Sequence, residues 1–180
     1  MSKKIERCIH IFPSFKNSAS LDNIRNRYDY LCSCIEAHIT LVFPFKSDLS
    51  IDEITLDLQK VLSDIKPFEI RTKDIQAVDN HGYYLFLNID EGSDIISKLH
   101  YKFHKGILSP YQSEWTKDGS FLPHITIGRF DNSVDMNNAW KEVKDLSLDY
   151  VAVIDRVYVE IIGDNEESII EGEILFENNY

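Results

Sequence analysis

Cysteine is scarce in this 180-residue chain: Cys8, Cys32 and Cys34 are its three, an odd number that cannot complete a disulfide framework. A reducing compartment, the cytoplasm, is the simplest expectation. Cys32-x-Cys34 falls in a predicted helix and has no second ligand pair, so it does not read as a zinc motif. Long apolar runs are missing too. The start, Met1 to Pro13, carries two lysines before an apolar stretch too short for a signal-peptide core, and no later run approaches a membrane span. Seven glycines and five prolines exclude a collagen-like or low-complexity chain. Positive charge is in deficit: nineteen Lys+Arg against thirty Asp+Glu leave a net charge of −11. That balance opposes adhesion to long duplex nucleic acid, which depends on neutralising phosphates with basic side chains. A small or short-ended phosphate ligand stays open.

What is present is an ordinary globular composition, 43% apolar and 12% aromatic, enough for a real core in one domain spanning residues 1–180. Residues 5–12 read as a strand, and Ser20 opens a helix whose buried stripe is Leu21, Ile24, Tyr28, Leu31 and Ile35. Ala37 to Phe43 is a β-rich run stopped by Pro44. Ser50-Ile51-Asp52-Glu53 is a capping box before a helix buried through Ile54, Leu58, Val61 and Ile65, and residues 68–78 form the next strand. After the Asn80-His81-Gly82 turn come a strand at 83–87, a helix from about Ser93 presenting Ile95, Leu99, Phe103 and Ile107, and a loop with Pro110, Trp115 and Gly119. Leu122 to Phe130 is a strand, Met136, Trp140 and Val143 mark a helix, Tyr150 to Ile162 is one long strand, and residues 168–176 form the last.

Residues 5–78 and 83–162 thus each run strand, helix, strand, helix, strand, which suggests an internal duplication. The expected fold is α+β and bilobal: duplicated β-α-β-α-β units in two largely antiparallel sheets facing a central groove. The lobes would be roughly 1–80 and 81–180, with strand exchange between them left open. One tripeptide recurs in the same slot of both halves, His38-Ile39-Thr40 and His124-Ile125-Thr126. Side chains alternate along a strand, so each His and Thr share one face while the isoleucines take the core face. Halves related by an approximate two-fold would set the two imidazoles on opposite sides of a bound group.

That constellation suits phosphodiester chemistry. In-line displacement needs a base for the attacking oxygen and an acid for the leaving oxygen, and imidazole serves as either near neutral pH. A threonine hydroxyl can donate to a nonbridging phosphate oxygen. The logic requires no metal and no cofactor, and it leaves open which histidine is acid and which is base.

The flanks Ala37-His38-Ile39-Thr40-Leu41-Val42-Phe43-Pro44 and Pro123-His124-Ile125-Thr126-Ile127-Gly128-Arg129 resemble the paired His-x-Thr motifs of the 2H phosphoesterase superfamily, in its 2′-5′ RNA ligase-like branch. Ala37 departs from that pattern, in which proline often precedes the first histidine. The resemblance implies a bilobal α+β fold and metal-free hydrolysis of 2′,3′-cyclic phosphates, or making and breaking of 2′-5′ phosphodiester links. It maps His38 and His124 to the catalytic histidines and Thr40 and Thr126 to the phosphate-binding hydroxyls. The implied partner is a small phosphodiester or an RNA end; separately, a monomer with no membrane attachment is expected.

Other readings compete. A noncatalytic RNA-end or nucleotide-binding module would keep the same groove without turnover, and both His-x-Thr pairs could be polar residues merely satisfied on half-buried strands. His100 and His104, four apart on a helix, could share a metal, although no third ligand is evident and they read more simply as surface histidines. His10 has the parity to face the groove, with core packing or solvent as the plainer alternative. Tyr84 and Phe86 could stack on a base or fill core. Gly128 offers close approach beside Thr126, whereas Arg129 falls on the isoleucine face unless the strand bulges, and so stays outside the expected site. The Ser109 to Phe121 loop is long enough to suggest a lid, and Lys46 and Lys117 are the nearest cations.

Overall fold

A computed structural model describes residues 4–176. The expected domain of residues 1–180 therefore runs past the described residues at both ends, and Lys3 of the leader reading lies outside them. Eight strands and four helices follow in the order β1 (Ile5–Ile11), α1 (Ala19–Tyr28), β2 (Ile39–Ser47), α2 (Ile51–Leu62), β3 (Phe68–Asp79), β4 (Tyr83–Ile89), α3 (Ser93–Phe103), β5 (His124–Phe130), α4 (Ser133–Val143), β6 (Val151–Ile154), β7 (Arg156–Ile162) and β8 (Ser168–Leu175).

Where two facing sheets are expected, the strands form one antiparallel order, β6-β3-β4-β5-β2-β1-β7-β8. The join is narrow: β2 meets β5 through a single residue pair, Ile39 with Ile125. Four strands lie on each side of it. The order is not that of the sequence halves, because β3 pairs with β4 and β6 while β7 pairs with β1. The long strand expected from Tyr150 to Ile162 breaks at Asp155 for this reason. Its first part, β6, adds to β3, and its second, β7, crosses to β1, with the Asp155 carbonyl accepting from the Phe176 amide at the crossing.

Helix periodicity accounts for the covered face of the sheet. Ile54, Leu58 and Leu62 of α2 are buried, and its capping box is closed by Ser50 N–H donating to Glu53 Oε2 at 2.8 Å and Glu53 N–H donating to Ser50 Oγ at 3.3 Å. In α4, Asn132 caps the Asp135 amide and Trp140 Nε1 donates to the Ile75 carbonyl at 3.0 Å. Gly92 starts α3 at φ +80, where a Cβ would stand 2.7 Å from the Glu69 carbonyl oxygen, so a side chain is excluded on two counts. The helix expected to run through Ile35 instead ends at Tyr28. Asp29 turns to extended backbone, its carboxylate accepts from the Leu31 amide, and Tyr30–Ser33 continues as one 3-10 turn that carries Cys32.

Bulges reshape the central strands. β2 does not stop at Pro44 but passes through it, because Phe43 and Pro44 together face the single residue Cys8, a bulge that excuses the missing amide. In β5, Leu85 pairs with Gly128 but Phe86 with Thr126, so Ile127 and Gly128 span one step and both are buried. A Cβ on Gly128 would meet Phe130 Cε2 at 2.9 Å and Tyr28 Cβ at 3.3 Å, so protein side chains fill the space expected for a ligand. Gly128→Ala should therefore cost about 1–3 kcal/mol of stability through overpacking. A denaturant midpoint unchanged from wild type would show that Phe130 and Tyr28 yield freely.

Candidate active site

The pairing of Ile39 with Ile125 is the only contact the two repeated tripeptides need in order to meet. Both isoleucines are fully buried in the core. Continuing the antiparallel alignment one residue each way sets His38 opposite Thr126 and Thr40 opposite His124, so the four polar residues share the face away from the isoleucines. All four are half-buried. Neighbouring strands extend this into two rows of cross-strand neighbours. One runs from Asn88 through His124, Thr40 and His10 to Tyr158, the other from His38 through Thr126 and Phe86 to Gln76.

The two histidines are held in the same way. His38 Nδ1 lies 2.7 Å from the Glu36 carbonyl oxygen, and His124 Nδ1 lies 2.6 Å from that of Leu122, in each case two residues back. A carbonyl only accepts, so Nδ1 carries the hydrogen in both rings, and Nε2 is the atom left to exchange a proton with a ligand. Desolvation holds both imidazoles below their ordinary proton affinity. His38 is pushed well down by burial and then by the neighbouring His10, with Arg25 and Arg129 adding to the same effect against the opposing Glu36 bond. His124 is lowered to about 4 by burial, with Arg129 as a smaller contributor and the Leu122 bond opposing. Both shifts favour the neutral ring at pH 7.

Arg129 belongs to this face, which alternation alone denied it. The bulge at Ile127 and Gly128 shifts the parity, so Arg129 pairs with Tyr84, on the side that carries Phe86 and His124. Its Nε donates to Asp29 Oδ1 at 2.9 Å, its guanidinium stands 5.9 Å from the Tyr84 ring centre, and Asp29 also accepts from the buried Arg25. Gly128, an interior strand glycine, was the signal for such a bulge. His10 is likewise on this face, yet it is buried at 3% exposure, with its ring centre 4.5 Å from that of His38.

Tyr84 and Phe86 are half-buried and stack in sequence, Tyr84 on Phe86 at 5.7 Å and Phe86 on His124 at 3.5 Å between ring centres. A cavity of about 410 Å³ adjoins the His38 side, with Phe12, Glu36 and Tyr158 in its lining. A second, of about 330 Å³, adjoins the other side at Tyr84 and Arg129.

Several expected candidates lie elsewhere. His100 and His104 are buried at 0% and 5% exposure, a correction to their reading as surface groups. The stripe of α3 turns inward through Ile96, Leu99, His100 and Phe103, the Phe121 ring stacks on His100 at 3.9 Å, and their Nδ1 atoms bond the carbonyls of Leu41 and His100. Among the described residues no three His, Cys, Asp or Glu side chains gather as metal ligands, so the pair has no third donor. Lys46 pairs with Glu6 at 3.2 Å and Lys117 with Glu114 at 2.5 Å, ordinary exposed ion pairs. The Ser109 to Phe121 loop forms two short 3-10 turns and is pinned by Phe121 on His100 and by Trp115 against Phe43 and His81.

Residues 13–166 match the family described as the 2′-5′ RNA ligase superfamily. The chain belongs to that superfamily. A protein of Geobacillus thermodenitrificans (strain NG80-2) curated under the name "Putative phosphoesterase" is 26% identical over 152 residues, covering 84% of each chain. Among solved structures, E. coli LigT complexed with 3′-AMP superposes with a TM-score of 0.64 at 9% identity, over 98% of this chain and 100% of that one. Usb1 of Kluyveromyces marxianus gives 0.56 at 10% identity, over 93% and 97%. These superpositions establish a shared fold across nearly the whole chain. Superfamily membership places the protein among phosphoesterases, and among the described residues no helix is long and apolar enough to cross a membrane.

Proposed function

We propose that the face carrying His38, Thr40, His124 and Thr126 is the active centre of a metal-independent phosphoesterase acting on 2′,3′-cyclic phosphate or 2′-5′ phosphodiester bonds of RNA ends or nucleotides. The observation that carries this reading is the Ile39–Ile125 pairing, which aligns the two His-x-Thr segments antiparallel so that each histidine faces the other segment's threonine. One imidazole Nε2 takes the proton of the attacking water as its oxygen bonds to phosphorus. The other gives a proton to the leaving sugar oxygen as the bond to phosphorus breaks, and the two histidines exchange roles in the reverse, ligating direction. Thr40 and Thr126 donate to the nonbridging oxygens, where negative charge builds up in the transition state.

The protonated histidine that this scheme needs comes with the substrate. An anionic phosphodiester between two neutral imidazoles favours protonation of one of them, offsetting the desolvation that lowers both. The solved complexes of E. coli LigT with 3′-AMP, NADP+ and ATP are of nucleotides, which supports a small nucleotide-like ligand here. The net charge of −11 favours such small or short-ended substrates over long duplexes. The free thiols of Cys8, Cys32 and Cys34 fit the reducing cytoplasm, and one two-lobed chain working as a monomer supplies both histidines.

The deciding experiment is a panel of 2′,3′-cyclic, 3′,5′-cyclic and 2′-5′-linked substrates, with the position of the product phosphate determined and a chelator present. Turnover of the 2′,3′-cyclic or 2′-5′ members, indifferent to chelator, is expected. Saturable nucleotide binding with no turnover of any member would assign the face to a binding module instead, and loss of activity with chelator would remove the metal-free scheme.

A further inference from the structure

The two histidines are alike in sequence and in their carbonyl anchors, but they differ in what lies behind them. His124 stacks on the Phe86 ring and pairs across the strands with the neutral Asn88. His38 instead stands edge-on to His10, a buried imidazole centred between Thr40 on β2 and Tyr158 on β7. His10 Nε2 is 3.6 Å from Oε1 of Glu160, itself 3% exposed, whose other carboxylate oxygen accepts from the Ser168 hydroxyl. His10 Nδ1 has no partner among the described residues.

A carboxylate so far from water demands a proton or a cation, and of the groups around Glu160 the His10 ring is the one within reach. His10 and Glu160 thus form one buried imidazole–carboxylate pair, with the imidazole end toward His38 and the carboxylate end toward Ser168. We propose that His10, backed by Glu160, is a positioning residue that holds His38 neutral and fixed, so that in hydrolysis His38 accepts the proton of the attacking water and His124 supplies the proton to the leaving oxygen. This assignment rests on the phosphoesterase reading above. The remaining charged groups facing His38 are Arg25 from α1 and Arg129 from β5, both bonded to Asp29. Arg129 faces His124 as well, so it cannot distinguish the two histidines. Arg25 and the His10–Glu160 pair act on the His38 side alone, and of the two it is the pair that stands against the ring itself.

The test needs no substrate. Histidine titrations followed by NMR on the free, full-length protein should show the His38 midpoint rising by about one pH unit, tenfold in its acid dissociation constant, in His10→Gln, while the His124 midpoint stays in place. Glu160→Gln, close in shape to the native residue, removes the carboxylate behind His10 and should raise the His38 midpoint in the same direction. It carries the test should His10→Gln fail to fold. In activity, the acid limb of kcat/KM for a 2′,3′-cyclic nucleotide should move up with the His38 midpoint while the alkaline limb holds. A His38 midpoint unmoved in a folded variant, or both midpoints moving together, overturns the proposal. Failure of the phosphoesterase reading would show separately, as wild type inactive on the whole substrate panel with the titrations as expected.

Discussion

His124→Ala is expected to lower kcat on a 2′,3′-cyclic nucleotide by about 10²–10⁴-fold, and His38→Ala to do the same, the range for removing one proton-transferring group. KM should change far less, because on the proposed scheme the threonine hydroxyls remain to hold the phosphate. The double variant should be little worse than either single one. An acid and a base that act in the same displacement are each of small use without the other, so their losses do not add. Each alanine also removes a ring whose Nδ1 anchors a backbone carbonyl, so the far-UV spectrum and product affinity must be shown to match wild type before the rates are compared. A folded His124→Ala protein that keeps wild-type turnover would remove the histidine from the chemistry and with it the symmetric scheme.

Burial lowers both histidines when the face is empty, so a phosphate must bind before either is readily protonated near neutral pH. Bare affinity for phosphate esters is then tied to proton uptake. The asymmetry behind His38 decides which ring carries that proton, which is why the buried His10–Glu160 pair bears on turnover although neither residue need touch the substrate.

Most of this arrangement was legible in the residues because it depends on local patterns. The capping box at Ser50, the burial of Ile54 and Leu58, and the His-x-Thr repeat are short-range signals that the structure retains, whereas Leu62 replaces the expected Val61 in the stripe and Ile65 lies beyond the helix end. What alternation missed are the points where tertiary pairing overrides it. Pro44 reads as a strand stop, yet a bulge opposite Cys8 carries β2 through it. Arg129 reads as core-facing, yet the bulge at Gly128 turns it to the site. The break at Asp155 reflects which strands β6 and β7 find, and a run of Val and Ile does not encode that. For His10 the parity was right, while the choice between core packing and solvent was left open, since burial depends on Tyr158 and Glu160 from a strand some 150 residues away. His100 and His104 were misplaced because the helix stripe is rotated by one position and Phe121, from the following loop, closes over the ring.

Those last two histidines lead to a large effect on stability. His100 is fully buried and held to about 4, by desolvation first and then by His104, against the opposing bond to Leu41. His104 is lowered in the same direction, as are His38 and His124. A histidine with a lower proton affinity folded than unfolded is neutral in both states above pH 7 and contributes no pH dependence there. Between its unfolded value near 6.5 and its folded value, the unfolded chain binds the extra proton, so stability falls as pH falls, by up to about 1.4 kcal/mol per pH unit for each such histidine. For His100 alone the window from 6.5 to about 4 is worth roughly 3 kcal/mol. The lowered carboxylates Glu53, Asp118 and Asp155 also lose their contribution on acidification, but only below the ordinary carboxylate range, so they leave the upper part of this window to the histidines. Urea unfolding at pH 7.5 and 5.0 should therefore show a marked loss of stability at the lower pH, on a scale no ordinary surface titration supplies. In His100→Phe, which keeps an aromatic ring against Phe121, the slope should shrink by about one proton's share. Equal stability at the two pH values, or a slope unchanged in that variant, would mean that the buried rings accept protons without opening the fold.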